Sequence, residues 1–215
     1  MKRDNIIIGS RGSKLAIIYA EKVKSEISKF YSGKIEIRKI ITSGDQNQNE
    51  RLSSMGGKGM FSTDIEKELL ENNEYDAIIL SKAGIDSLNL QNKITDEFDV
   101  AKLVPCAGQG IIAIQCNENN PDILRLIEKI NDKQTRIIAN TEREVLKILE
   151  GDCDTAIGVF ATIKNNKIEL TAELFSVDGK SRFFIKEDDD IENHMILAKK
   201  IAGDLKIKSK GSYKG

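Results

Sequence analysis

The chain has three cysteines, two prolines, no tryptophan and no long apolar run. The cysteines, Cys106, Cys116 and Cys153, are scattered and form no Cys-x-x-Cys pair, which excludes a disulfide framework and a cysteine zinc site. The first residues, Met-Lys-Arg-Asp and three isoleucines, lack the pattern of a signal peptide, and no segment reaches the length of a transmembrane helix. These absences predict a cytoplasmic globular protein without a metal site or a membrane partner.

A strong net charge is also missing. The formal net charge is −1 although 31% of the 215 residues are charged. No global basic field therefore attracts nucleic acid, and an anionic ligand must be held by Lys and Arg side chains placed locally. The hydrophobic content of 40% is enough for a core in one or two modest domains.

Strand and helix patterns alternate in the first half of the chain, which predicts an α/β layer with a mostly parallel sheet. The expected elements are strands at 6–8, 34–41 and 76–80, and helices after the N-cap Ser13 and over 62–70.

The second half predicts a small α+β domain of three strands with helices on one face. The dipeptide Asp178-Gly179 is a strong hairpin signal between the last two strands. A tail from Lys208 is expected to fray. The expected elements of this domain are strands at 156–163, 167–177 and 182–186 and helices at 133–149 and 191–207. A strand at 111–114, expected to re-enter the first sheet, and a helix at 121–130 are assigned to the first domain.

Three loops carry groups that could hold an anion. Arg11 follows the first strand, at the usual ligand position of a parallel sheet. Lys58 lies in Gly56-Gly57-Lys58-Gly59 before a helix, without the spacing of a nucleotide-binding P-loop. Gln109 lies between Gly108 and Gly110. Each loop alone is a weak signal, and together they indicate a carboxylate-bearing small molecule.

Cys153 follows a predicted helix end at Gly151 and has acidic neighbours, Asp152 and Asp154. A thiol on a solvated turn can attack an electrophile and hold a covalent group. An ordinary cysteine in a turn is the alternative interpretation of this segment.

Five strings in order resemble the porphobilinogen deaminase (hydroxymethylbilane synthase) family. They are Ile8-Gly9-Ser10-Arg11-Gly12-Ser13-Lys14-Leu15-Ala16, Gly56-Gly57-Lys58-Gly59-Met60-Phe61, Tyr75-Asp76-Ala77-Ile78-Ile79-Leu80, Pro105-Cys106-Ala107-Gly108-Gln109-Gly110 and Leu149-Glu150-Gly151-Asp152-Cys153. The resemblance implies a transferase of tetrapyrrole biosynthesis that polymerises four porphobilinogen units, with loss of ammonia, onto a dipyrromethane cofactor in thioether linkage to Cys153.

The resemblance also implies residue roles and an architecture. Arg11, Lys58 and Lys82 would act in catalysis and carboxylate binding, and Ser13 and Gln109 would contact the cofactor. The implied fold is a periplasmic-binding-protein-like α/β domain (1–74 and 105–131), a much reduced second α/β domain (75–104) and a C-terminal three-stranded α+β domain (132–215). The implied assembly is a monomer. An oligomer is the alternative if a neighbouring subunit supplies the wall of the active-site cleft that this chain lacks.

The sequence departs from the family between the Gly-Gly-Lys-Gly helix and the strand at 76–80. Family members have a long segment there, with a His-Ser-x-Lys-Asp motif that carries the catalytic aspartate and with further arginines. In one alignment with the family, Ser81-Lys82 is a relic of the His-Ser-x-Lys-Asp motif. In another, residues 76–80 match a strand that comes later in the family sequence. Tyr19 and Ser87 stand where the family usually has Gln and Arg. Three interpretations remain: a transferase with an abbreviated cleft, a deaminase that folds without turnover, and a non-catalytic ligand-binding module.

Overall fold

The computed structural model describes residues 5–11, 14–40, 81–87, 89–151 and 155–214. These form two compact units, the first containing residues 1–94 and 112–131 and the second containing 95–111 and 132–215. The helix expected at 62–70 and the strand expected at 76–80 lie outside the described residues.

The first unit contains a β-α-β arrangement, as the alternating pattern predicts. Strands β1 (Asn5–Arg11) and β2 (Lys34–Ile40) are parallel, in a register that pairs Arg11 with Ile40. Helix α1 (Lys14–Ser28) connects them, and Ile6 and Ile27 meet Leu126 in a buried cluster. The other described helices of this unit are α2 (Lys82–Ser87) and α3 (Pro121–Ile130).

Local signals determine the start of α3. Asn120 is its N-cap, and the side chain of Asn120 accepts a hydrogen bond from the Ile123 amide at 3.4 Å. Pro121 occupies the first turn, where no intrahelical donor is needed. The predicted helix over 121–130 is therefore confirmed.

The second unit contains a three-stranded antiparallel sheet and two long helices. Its elements are α4 (Lys133–Leu149), β3 (Ile157–Lys164), β4 (Lys167–Phe175), β5 (Arg182–Asp190) and α5 (His194–Ser209). The sheet order is β3-β4-β5. Val145 and Leu149 of α4 pack with Leu170 and Leu174 of β4 and with Ile201 of α5, all without solvent exposure.

The outer edge of β3 is covered by the backbone at Pro105 and by the side chain of Glu142 on α4. The Val159 amide donates to the Pro105 carbonyl at 2.9 Å, and the Ala161 amide donates to the Glu142 carboxylate at 2.8 Å. An uncovered edge strand leaves its amides unpaired and invites association with another chain. The backbone of 104–105 and the side chain of Glu142 thus complete this sheet.

Gly158 lies where the backbone of 104–105 crosses β3. A Cβ atom at Gly158 would lie 2.8 Å from the Cβ of Val104, a distance that requires a backbone shift. We expect Gly158→Ala to lower the free energy of unfolding by about 1–3 kcal/mol, measured in urea. Gly203→Ala is the control, since Gly203 lies within α5 and a Cβ added there would have no neighbouring atom within 4 Å. That change is expected to raise the free energy of unfolding by up to about 1 kcal/mol, and an equal effect at both glycines would contradict the close approach.

Four expectations differ from the structure. Residues 95–111 pack in the second unit, whereas the expected partition places 105–111 in the first domain. The run Ile111–Ile114 pairs with no strand in the described part of the chain. Strand β5 continues to Asp190 rather than ending at 186, because Asp190 pairs with Lys167 across the sheet. The tail does not fray: α5 extends to Ser209, and Tyr213 beyond it is 5% exposed.

Candidate functional site

The predicted site residues are distributed between the two units. Arg11 is the last residue of β1, at the carboxyl end of the parallel pair, rather than on the loop that follows the strand. Lys82 opens α2 and is exposed. Both residues lie in the first unit, whereas Gln109 lies in the second. Ser13, Lys58 and Cys153 lie outside the described residues, so their roles stay predictions.

Both ends of the loop that contains Cys153 are described, and each end is anchored. Helix α4 ends at Leu149, and Glu150 is left-handed with a φ of 55°. The Glu150 amide donates to the Lys147 carbonyl at 3.2 Å, and the Gly151 amide donates to the Leu146 carbonyl at 3.1 Å. This pair of bonds is a Schellman motif. The left-handed residue is therefore Glu150, whereas the sequence suggested Gly151 as the cap.

The other end of the loop joins the sheet one residue before β3. The Ala156 carbonyl accepts a hydrogen bond from the Phe175 amide at 3.0 Å. The connection between the two anchored ends, 152–155, consists of Asp, Cys, Asp and Thr.

Gln109 lies in a tight turn formed by two left-handed glycines. Gly108 has a φ of 76° and Gly110 has a φ of 84°, values that residues with a side chain rarely adopt. The Gln109 amide donates to the Cys106 carbonyl at 3.0 Å, and the side chain of Gln109 is exposed. Cys106 is exposed as well and does not pack in a core.

Glu142 joins this turn to β3, a role that the sequence analysis missed. One carboxylate oxygen accepts from the Gly108 amide at 2.7 Å, and the other accepts from the Ala161 amide at 2.8 Å. Glu142 is 3% exposed, and burial raises the pKa of its carboxyl above the ordinary value, against the opposing effect of the two amide donors. The sequence feature that could have revealed a buried Glu142 is its place on the apolar face of α4, between Ile138 and Val145.

A second buried carboxylate, on β4, fixes the same segment further upstream. Glu173 is 2% exposed and accepts from the Val104 amide at 3.0 Å through one oxygen. Its other oxygen accepts from Arg182 at 2.8 Å, and Arg182 also donates to the Ala101 carbonyl at 3.0 Å. Two acidic side chains therefore hold residues 101–108 against the sheet.

Glu142→Ala is expected to lower the free energy of unfolding by about 1–3 kcal/mol, because the buried Ala161 amide loses its acceptor. Urea unfolding measures the loss.

Glu142→Gln tests how the ionisation of the Glu142 carboxyl affects stability. The pKa of Glu142 is raised in the folded chain, so ionisation above the ordinary value of 4.5 opposes folding. The wild type should therefore lose stability relative to Glu142→Gln as the pH rises from 4.5 through the raised pKa. Urea unfolding across this range measures the difference, with Glu144→Gln on the same helix as the control. A wild type that gains stability relative to Glu142→Gln as the pH rises would contradict the assignment.

The two positions that depart from the resemblance meet in the first unit. The hydroxyl oxygens of Ser87 on α2 and Tyr19 on α1 lie 3.5 Å apart, both half-buried. The Ser87 hydroxyl also donates to the Ala83 carbonyl at 2.7 Å. Two neutral hydroxyl groups therefore lie together at the positions where the resemblance led us to expect Gln and Arg.

The described residues offer neither a membrane-crossing helix nor a metal site. None of their helices combines the length and apolarity needed to cross a membrane. No group of three or more His, Cys, Asp or Glu side chains among the same residues is arranged to hold a metal ion.

Known proteins similar to this chain include three that are each named porphobilinogen deaminase. Porphobilinogen deaminase of Wolbachia sp. subsp. Drosophila simulans (strain wRi) is 28% identical over 292 residues, covering 94% of this chain and 98% of that protein. The enzyme of Macrococcus caseolyticus (strain JCSC5402) is 24% identical over 268 residues, covering 83% and 87%. The enzyme of Francisella tularensis subsp. tularensis (strain WY96-3418) is 40% identical over 123 residues, covering 57% and 40%.

The first two alignments are longer than the 215 residues of this chain, so those relatives contain a segment that it lacks. The family model described as "porphobilinogen deaminase, dipyromethane cofactor binding domain" matches in two pieces, residues 6–73 and 70–125. The model described as "porphobilinogen deaminase, C-terminal domain" matches residues 137–206. The chain belongs to the porphobilinogen deaminase family, as a member shortened by an internal segment.

Proposed function

We propose that this chain is a hydroxymethylbilane synthase that carries a dipyrromethane cofactor on Cys153 and extends it with porphobilinogen. The observation that carries the proposal is the loop at 150–156: its two ends are anchored, and the residues between them are small or polar. Bound there, the cofactor supplies the pyrrole carbon to which porphobilinogen is added. The thiol of Cys153 holds the growing chain by one thioether bond.

The cationic side chains are assigned to the substrate's carboxylates. Porphobilinogen carries an acetate and a propionate, so each addition brings two further negative charges to the protein. Arg11 can bind a carboxylate through two parallel hydrogen bonds, whereas Lys58 and Lys82 act as point charges. Ser13 would donate a hydrogen bond to the cofactor.

Gln109 is assigned to the cofactor on the strength of its turn. The positive-φ glycines on both sides permit this tight turn, and the hydrogen bond from the Gly108 amide to Glu142 restrains it. The exposed amide of Gln109 can donate to a carboxylate of the cofactor and accept from a pyrrole N–H.

The finer architecture belongs to the same proposal. We assign the parallel β1–α1–β2 layer to a periplasmic-binding-protein-like domain. We place the enzyme in the cytoplasm as a monomer, with neither nucleic acid nor membrane as a partner. A neighbouring subunit would be needed only to supply the cleft wall.

Ehrlich's reagent provides the test of this function. A bound dipyrromethane gives a coloured product with the reagent, and a transferase consumes porphobilinogen while it releases ammonia. We expect both signals from the purified chain. A protein that gives no colour and consumes no porphobilinogen would instead be a ligand-binding module, which would contradict the proposal.

A further inference from the structure

The residues after α5 turn back and contact the end of α4 at Leu149 and Glu150. Lys210 and Gly211 are both left-handed, with φ values of 49° and 79°, and they reverse the direction of the chain. The Ser212 carbonyl then accepts from the Val177 amide at 2.9 Å. We call residues 210–214 the C-terminal segment.

Tyr213 connects this segment to the last residue of α4. Its ring is buried in the core, with 5% of the residue exposed. Its hydroxyl donates to the Leu149 carbonyl at 3.2 Å. The final carbonyls of a helix have no donor within the helix and need partners from elsewhere. Tyr213 provides such a partner from 64 positions further along the chain.

Lys214 contacts the next residue, Glu150. The two side chains form an ion pair, which raises the pKa of Lys214 and lowers the pKa of Glu150 through their hydrogen bond. Both side chains are exposed, with 49% and 64% of their surfaces accessible, so the pair adds little stability. The ion pair lies at Glu150, the left-handed residue at which α4 ends.

We propose that the C-terminal segment is a positioning element for the attachment cysteine: Tyr213 holds the Leu149 carbonyl and Lys214 holds Glu150, which lies three residues before Cys153 in the sequence. This inference rests on the proposed function. A thiol that must present a lengthening chain to one reaction centre depends on such restraint, because a misplacement of 1 Å can cost about 10²-fold in rate.

Two variants remove the restraint while retaining packing. Tyr213→Phe keeps the buried ring and removes the hydroxyl, and Lys214→Met keeps the stem and removes the charge. Lys214→Arg should restore wild-type behaviour. Lys208→Met is the matched control, because Lys208 is an exposed lysine of the last turn of α5 that lies outside this contact.

The first readout needs no cofactor. The full chain, purified from cells that make no porphobilinogen, is treated with iodoacetamide, and the alkylation rate of Cys153 is divided by that of the exposed Cys106 in the same molecules. We expect Tyr213→Phe and Lys214→Met to change this ratio by about two- to tenfold, the range that corresponds to one hydrogen bond. The urea midpoint should stay near the wild-type value, and Lys214→Arg and Lys208→Met should leave the ratio unchanged.

The second readout is the rate of covalent attachment when the same proteins receive porphobilinogen, followed by intact mass. We expect the two variants to attach the cofactor more slowly by a similar factor. An unchanged ratio and an unchanged attachment rate would overturn the proposal, as would changes that follow the loss of folding. Absence of an adduct on the wild type would instead refute the proposed function, and the alkylation ratio would then decide the positioning role alone.

Discussion

Cys153→Ser is expected to abolish the covalent adduct completely. The serine hydroxyl does not ionise near neutral pH and, without a neighbouring base, is a far weaker nucleophile than a thiolate. The rest of the loop keeps its anchors, because the bonds at Glu150, Gly151 and Ala156 are made by the backbone. Intact-mass spectrometry after incubation with porphobilinogen measures the loss, and urea unfolding shows that the variant is folded.

The other cysteines provide stringent controls for this experiment. Cys106 is exposed and Cys116 is half-buried, so Cys106 at least is accessible to an electrophile. Both Cys106→Ser and Cys116→Ser should keep the adduct at the wild-type level. An adduct that survives in Cys153→Ser would show that the attachment point lies elsewhere.

Elongation is expected to stall early, with turnover far below that of a full-length relative such as the Wolbachia enzyme. The carboxylates accumulate as pyrroles are added, and this chain offers Arg11, Lys58 and Lys82 against them. Each missing charge-assisted pair forfeits about 1.5–3 kcal/mol, so the later intermediates should be affected most. Cofactor attachment should proceed, since it depends on the intact second unit.

Mass spectrometry of the protein during incubation with porphobilinogen shows the ladder of covalent intermediates. We expect it to stop after one or two additions. Ser87→Arg, which adds a cation beside Tyr19, should move the stop to a later intermediate, whereas the uncharged Ser87→Gln should not. Release of the tetrapyrrole at the rate of the full-length relative would contradict this expectation and would indicate that a neighbouring subunit completes the cleft.

Local patterns predicted helix α3 of the first unit and most of the second unit. The helices at 121–130 and 133–149 follow from amphipathic spacing and from the caps Asn120 and Asp132, whose side chains accept from amides in the first turn. The β4–β5 hairpin follows from Asp178-Gly179, where the glycine has a φ of 70°. Each of these signals lies within a few residues of the structure that it specifies.

The failures involve contacts between distant parts of the chain. The acidic end of β5 is a strand because it pairs with the start of β4, and Lys167 and Lys200 offset its charge. The tail does not fray because the Tyr213 hydroxyl donates a hydrogen bond to the Leu149 carbonyl. Glu142 and Glu173 are buried because residues 101–108 bring amides to them. None of these partners is visible in a window of neighbouring residues.

Peptide mapping of the wild-type chain after incubation with porphobilinogen tests the assignment most directly. We predict that the peptide containing Cys153 gains the mass of a dipyrromethane in thioether linkage, while the peptides containing Cys106 and Cys116 keep free thiols. An unmodified Cys153 peptide, or a modification located on either of the other cysteines, would contradict the assignment.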